Sequence, residues 1–474
     1  MNKFKLFIEN FLVYGLGGVI SKIVPLIMVP IITRLMPNSS YFGISDLSNT
    51  IVQFGSALAI MGMYDAMYRM FFEKDEESYK KSICSTALIF TIFSSFVVFL
   101  LMILFRKPLA QYVLGNQKYA YVIYLSAMAT LVGATNSIIS APTRMQNKRK
   151  IFLVTNTVSP ILSYAVSIPL LLKGHYIIAL PLAAVVSGIT MEMAFGVLNH
   201  SWFRVREFDF KLLKQLLVIA VPMLPNFLIY WVFNSCDKVM ITNLIGVDAS
   251  GIYSVSSKLG HCSQLIYTAF AGGWQYFAFS TMKEKNQVAS NSKIYEYLAI
   301  ISFVATAFIC AWSFPIFKVL FTEEYLSGFI SAPYLFLAPL LQMLFQVACN
   351  QFLVVKRTWP NMLILSSGAV INILLNLTLI PRLGIEGASI ATLSGYIVAN
   401  IVCLIVLCNM KLMIVSKRLL LSVFFIMAYM ILWRNCFMVK TVVGTGLAVI
   451  IFIIYLVMYK IEIKQVINGL RRKE

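Results

Sequence analysis

Residues 83–105 read ICSTALIFTIFSSFVVFLLMILF, twenty-three positions without a charge. A helix climbs about 1.5 Å per residue, so such a stretch crosses the roughly 30 Å of hydrocarbon in a bilayer. Lys80 and Lys81 precede it and Arg106 and Lys107 follow it, a charged bracket at each face. Working outward, the same pattern recurs along the chain. Fourteen candidate spans lie at 10–33, 43–70, 83–105, 119–142, 152–172, 177–198, 214–242, 251–280, 294–317, 331–355, 361–380, 388–409, 419–433 and 441–459. None alternates at period two, which argues against a transmembrane β-barrel. The reading is an all-α integral membrane protein with about 14 transmembrane helices.

Composition agrees. Apolar residues make up 59% of the 474 positions and charged residues 12%, against about 45–50% and about 25% in soluble chains. The formal charge of +20 would point to nucleic acid in a soluble protein, but the positions of the 39 Lys and Arg say otherwise. With the N-terminus inside, 26 fall in cytoplasmic segments, 9 in external loops, and Lys22, Arg69, Lys238 and Lys258 within spans. This is a positive-inside pattern and predicts a multi-pass protein of the cytoplasmic membrane with both termini cytoplasmic and no nucleic-acid partner. The eight cysteines lie in apolar stretches with no C-x-x-C, so neither a disulfide framework nor a metal site is expected. The longest external loop, 106–118, has thirteen residues, and no phosphate loop or H-E-x-x-H occurs. No cofactor and no enzymatic activity are expected; the chemistry must lie between the helices.

The chain repeats itself at an offset of 208. Gly43-Ile44-Ser45-Asp46-Leu47-Ser48 opens the second span and Gly251-Ile252-Tyr253-Ser254-Val255-Ser256 the eighth. Lys148-Arg149 and Lys356-Arg357 follow the fourth and tenth spans, and the charged loop 73–81 falls opposite 281–289. Leu172-Lys173-Gly174 lies opposite Arg382-Leu383-Gly384 at an offset of 210. Six spans per copy is an even number, so the copies share one orientation, a parallel repeat with its substrate site between the halves. The expected division is a six-helix lobe at 1–210, a second at 211–415, and two extra helices with a cytoplasmic tail at 416–474, the two lobes flanking a central cavity.

Polar side chains are costly in a bilayer and face a cavity or a partner. Asp46, Asn49, Thr50 and Gln53 share a face of the second span. In the eighth, Ser254, Ser257, Lys258, His261, Gln264, Thr268 and Gln275 form a stripe, with Lys258 and His261 at the copies of Thr50 and Gln53. Lys22 lies mid-span in the first helix, and at the offset it matches Tyr230, whose face also carries Asn234 and Asp237. Pro25, Pro30, Pro222 and Pro225 bend or break the first span of each copy. The expected substrate-binding residues are therefore Lys22, Asp46, Asn49, Gln53, Tyr230, Asn234, Asp237, Lys258, His261 and Gln264. Lys22 and Lys258 could bind phosphate as point charges, or pair with Asp46 or Asp237 as structural or coupling residues. The bland alternative for the Ser, Thr and Gly positions is close helix packing.

Tyr14-Gly15-Leu16-Gly17-Gly18-Val19, the stretch from Asp237-Lys238 through Leu244-Ile245-Gly246 to Gly251–Lys258, and Leu383-Gly384-Ile385-Glu386-Gly387-Ala388 carry a resemblance. The chain resembles the polysaccharide transporter, or Wzx-type flippase, branch of the multidrug/oligosaccharidyl-lipid/polysaccharide exporter superfamily over nearly its whole length. The resemblance implies two lobes around a cavity that opens alternately to each side, and a cargo of oligosaccharide on a polyprenyl (pyro)phosphate, with undecaprenyl pyrophosphate the expected carrier. It also implies membrane lipids, a polysaccharide polymerase and chain-length machinery as partners, and H⁺ or Na⁺ as a coupling ion. Two alternatives stay open. A multidrug antiporter of the same superfamily would want acid where Lys22 stands. A polymerase or ligase of the same glycan pathway would want a larger external loop.

Overall fold

Hydrocarbon offers no hydrogen-bond partner to a backbone N–H or C=O, so a lipid-spanning segment must satisfy both internally. The computed structural model describes residues 23–267, residue 274, and residues 286–462 other than 356 and 358; among these there is no strand. The helices in chain order are α1 Ile23–Leu35, α2 Ser39–Ile60, α3 Met63–Phe71, α4 Glu77–Leu104, α5 Arg106–Val113, α6 Ala120–Met145, α7 Arg149–Leu172, α8 Tyr176–Asn199, α9 Phe210–Ala220, α10 Leu224–Trp231, α11 Asp237–Leu244 and α12 Val247–Gly260. After them come α13 Gln287–Leu320, α14 Ala332–Val354, α15 Trp359–Leu383, α16 Ile385–Asn409, α17 Lys417–Leu432 and α18 Thr441–Met458.

Eleven helical stretches among the described residues are long and apolar enough to cross a membrane, and they coincide with eleven of the fourteen sequence spans. The other three are the first and the eighth, which lie partly outside the described residues, and the second, which is broken at Met61-Gly62; the count of fourteen still rests on sequence. α4 shows what the stretches face. Phe93, Phe96, Leu100 and Leu104 are exposed at helical spacing, while Cys84, Ala87, Thr91 and Ser95 on the other side are buried. An apolar stripe of this kind is lipid-facing surface.

The second span is not continuous as read. Met61 and Gly62 both take left-handed backbone angles (φ 50° and 78°), which ends α2 and starts α3. A side chain at Gly62 would meet the Ala220 carbonyl at 2.6 Å, so glycine alone allows both the turn and the approach of α9. Around this break Met63, Met67, Met70 and Phe71 pack with Ile83 and Ala87 of α4, Ile138 and Ala141 of α6, and Leu212 and Leu216 of α9. The seventh span is interrupted twice. A 3₁₀ turn at Val221–Met223 contains Pro222, where the sequence predicts a break, and a π-helical turn follows at Val232–Cys236.

Cα packing separates two compact units, Met1–Ser254 with Asn376–Ile385, and Val255–Leu375 with Glu386–Glu474. In the first, α2, α4 and α6 are held by apolar contact and by hydroxyls: Ser48 and Ser126 bond at 2.8 Å, and Ser94 donates to the Ala59 carbonyl. In the second, α14 is the most enclosed of the eleven spans. Asn400 of α16 donates to the Leu341 carbonyl of α14 and accepts from Tyr295 of α13, tying three helices together. Gly444 of α18 lies against Ala311 of α13, and Tyr429 of α17 reaches the carbonyls of Ala307 and Gly444.

One contact joins positions related by the 208-residue offset. A Cβ on Gly43 would meet the Val247 carbonyl at 2.6 Å, and one on Gly251 would overlap the Ser39 carbonyl. Ser39 and Val247 are themselves a pair at that offset, so the close crossing of α2 and α12 is reciprocal. It needs glycine at both positions.

Candidate functional site

The α2–α12 crossing carries Asp46 one turn from Gly43. The π-helical turn at Val232–Cys236 lets one extra residue into the seventh span, and α11 begins immediately after it with Asp237 and Lys238. Lys238 extends its Nζ to Asp46 Oδ2 at 2.7 Å, an ion pair whose members are 9% and 5% exposed. Asp237, 3% exposed, accepts a hydrogen bond from the hydroxyl of Tyr253, which is 1% exposed. Thr242 and Ser250 both donate to the Lys238 carbonyl, which holds α11 and α12 in register. One turn along α2, Trp231 Nε1 donates to the Thr50 carbonyl and its ring packs on Phe54 at 4.9 Å. The result is a buried cluster of two carboxylates, one ammonium and a tyrosine hydroxyl drawn from three helices. Such groups are stable in a low-dielectric interior only together, because an isolated charge there costs several kcal/mol. Buried titratable groups that depend on one another in this way can be switched by a proton, an ion or a charged ligand.

The structure sorts the sequence-derived site residues. Asp46 and Thr50 are buried, whereas Asn49 and Gln53 of the same face are exposed. Tyr230 and Asn234 are half-buried, and Asn234 spends its amide on the Tyr230 carbonyl one turn earlier. Asp46 and Asp237 therefore come together with Lys238 and Tyr253. In the second unit, Lys258 closes α12, and His261 and Gln264 occupy the 3₁₀ turn His261–Ser263 and the residue after it, all half-buried and engaged by neighbours. Lys22, Thr268 and Gln275 lie outside the described residues.

Sequence reasoning passed over Lys238 and Tyr253 as site residues. The signal was present: a lysine inside a span needs a counter-charge, and Lys238 follows Asp237 directly. It also missed a second ionisable cluster. Glu386, 6% exposed at the start of α16, is gripped by Arg434 of the π-helical turn Trp433–Phe437, with Nη2 to Oε2 at 2.8 Å and Nε on the other oxygen. Tyr334 of α14 donates to the same carboxylate. Both residues stand at span ends and read from sequence as loop. Among the described residues no group of three His, Cys, Asp or Glu side chains is disposed to hold a metal.

The fold and the buried charges define a multi-pass helical membrane protein with ionisable groups at membrane depth. Its architecture is similar to that of known flippases and exporters. The lipid II flippase MurJ, in an inward closed conformation, superposes with a TM-score of 0.71 at 14% identity, covering 95% of this chain and 100% of that one. Inward-facing and outward-facing multidrug resistance MATE transporters of the MOP superfamily give TM-scores of 0.60 and 0.59 at 12% and 13% identity. The first covers 83% of this chain and 98% of that one, the second 86% and 95%. No curated protein matches the sequence. The family model described as "Polysaccharide biosynthesis protein" matches residues 31–329. The chain belongs to that polysaccharide biosynthesis family.

Proposed function

We propose that this protein is a flippase that moves a polyprenyl-(pyro)phosphate-linked oligosaccharide from the inner to the outer leaflet of a bacterial cytoplasmic membrane, for assembly of a surface polysaccharide such as O-antigen, capsule or exopolysaccharide. The observation that carries this reading is a polysaccharide biosynthesis sequence folded like MurJ and the MATE transporters. A lipid (pyro)phosphate cannot cross about 30 Å of hydrocarbon unaided, since an unpaired charge there is prohibitively costly. Two lobes, 1–210 and 211–415, rocking about the cargo would shield the head group while the prenyl tail stays in lipid. Lys22 and Lys258 supply cationic contacts to the (pyro)phosphate, and Asn49, Gln53, Tyr230, Asn234, His261 and Gln264 polar contacts to the glycan. Asp46 and Asp237, held by Lys238 and Tyr253, set the conformational equilibrium and are where a coupling H⁺ or Na⁺ would act.

The decisive experiment is deletion followed by analysis of lipid-linked glycans. Intermediates trapped on the cytoplasmic face support the proposal. Intermediates accumulating on the outer face indicate a polymerase or ligase step instead. The MATE likeness supports a second reading, a multidrug antiporter; hypersensitivity to organic cations with normal surface glycan would favour it.

A further inference from the structure

A pocket of about 550 Å³ lies between α13 and α18. It is almost wholly apolar and suits a lipid chain of any kind. A smaller one, of about 270 Å³, is different in kind. It lies between α6, α7 and α8 of the first unit and is lined by amides, hydroxyls and one guanidinium. Asn136, Ser140 and Arg144 follow one another at four-residue steps along α6, and Thr155, Asn156 and Ser159 face them from α7. α7 is the least buried of the eleven spans, yet it presents this polar stripe inward.

The lining is short of partners in one direction. Asn136 Oδ1 is buried, and no donor among the described residues reaches it. Thr155 Oγ1 donates to the Ile151 carbonyl at 2.9 Å and Asn156 Nδ2 to the Phe152 carbonyl at 2.8 Å, which leaves their oxygens as acceptors. A buried oxygen without a donor is rare in folded proteins, and with the free acceptor capacity of Thr155 and Asn156 beside it the lining suits a ligand rich in O–H groups. At the open end stands Arg144. Its Nη1 donates to the Tyr64 hydroxyl at 3.1 Å and its guanidinium lies 5.3 Å from the Phe152 ring centre. No carboxylate among the described residues pairs with it. A guanidinium has five N–H donors in a planar fork that matches a phosphate, so most of that capacity is unused. The floor is firm: Ser187 of α8 donates to the Ser159 carbonyl of α7 at 2.9 Å, and Phe195 and Met191 close the apolar wall. The volume lies just below the about 300–1,000 Å³ of small-molecule sites, which fits one sugar rather than a whole repeat unit.

We propose that this pocket binds a phosphorylated sugar, with its hydroxyls toward Asn136, Thr155 and Asn156 and its phosphate on Arg144. That chemistry is shared by the head group of a lipid-linked glycan and by a free sugar phosphate. The choice of a sugar phosphate rests on the flippase reading, but binding is measured without it. The protein in lipid nanodiscs is titrated calorimetrically with glucose 1-phosphate, glucose and inorganic phosphate. Glucose 1-phosphate is expected to bind at least tenfold more tightly than either of the others. Arg144→Gln is expected to weaken it at least tenfold, Arg144→Lys less, and Asn156→Ala to weaken glucose 1-phosphate while leaving phosphate unchanged. Unaltered thermal melting of each variant shows that the fold is intact. Equal binding of inorganic phosphate, undiminished binding in Arg144→Gln, or no binding at millimolar concentration overturns the proposal. A final arm identifies the source. Competition by polyprenyl-phosphate glucose placed in the nanodisc shows that a membrane-anchored head group reaches the pocket; undiminished glucose 1-phosphate binding in its presence assigns the site to the free sugar phosphate. Failure of these titrations leaves the deletion phenotype, and so the flippase reading, untouched.

Discussion

Replacing Lys238 by Met removes the ammonium from the Asp46 pair and keeps most of the side-chain volume. At 2.7 Å, with an effective dielectric constant of about 20, the Coulomb attraction is about 6 kcal/mol. Most of it only offsets the desolvation of two groups that are each less than 10% exposed, so the intact pair contributes little net stability. The single substitution is another matter, because it takes the Lys238 ammonium away from a carboxylate that stays buried against α11. Breaking such a pair costs about 3–5 kcal/mol. Removing both charges, in Lys238→Met with Asp46→Leu, deletes the problem along with the attraction, and the double variant should recover to within about 1 kcal/mol of the parent. With each single substitution costing about 3–5 kcal/mol and the double about 1, the four proteins form a cycle with a coupling energy of about 5–9 kcal/mol, read from reversible unfolding in mixed micelles followed by tryptophan fluorescence. A Lys238→Met protein as stable as the parent, or a double variant as unstable as the sum of the singles, would refute the argument that this cluster is an interdependent buried unit.

The other expectations are more local. Gly251→Ala drives a methyl into the Ser39 carbonyl and should abolish monodisperse protein in detergent, whereas Gly446→Ala, which faces open space, should leave yield and melting unchanged. Tyr253→Phe deletes the hydroxyl that Asp237 accepts from and should cost about 1.5–3 kcal/mol, the range for hydrogen bonds to charged groups, in the same unfolding assay. Arg434→Gln removes the two-pronged grip on Glu386 and should destabilise by a similar about 1.5–3 kcal/mol; restoration by Arg434→Lys would show that charge rather than the fork is what matters there. Lys22→Ala with Lys258→Ala should stop display of surface glycan while the protein remains in the membrane at normal abundance. Normal display would remove both lysines from the cargo path.

The helices were legible in the sequence because hydrocarbon imposes one rule on every residue of a span, and uncharged runs such as 83–105 obey it openly. The breaks were legible only where a residue type announces them. Pro222 marked the turn in the seventh span, but Met61-Gly62 and the two π-helical turns depend on what packs beside them. The site was half legible for a related reason. Helical periodicity placed Asp46, Asn49 and Gln53 on one face, yet the side that is buried and the side that is open depend on α10 and α11 lying across it. Pairing was out of reach. Asp46 stands 192 positions from Lys238, and nothing in either neighbourhood names the other. Local alternation of charge and apolarity shows that a buried ion needs a partner, not which one it finds.

The reciprocal glycine contact has a consequence for how positions 208 residues apart can come to differ. Gly43 and Gly251 each make room for the backbone of the facing helix, so a change in either is felt at the same crossing and neither can drift alone. Three residues further along, the same offset pairs Asp46 with Ser254, and these have parted company: one holds a lysine, the other is a small hydroxyl. The crossing of α2 and α12 is thereby held to one form while the residues one turn along it are free to differ. Two glycines that must stay small can fix a crossing whose neighbouring positions carry different chemistry.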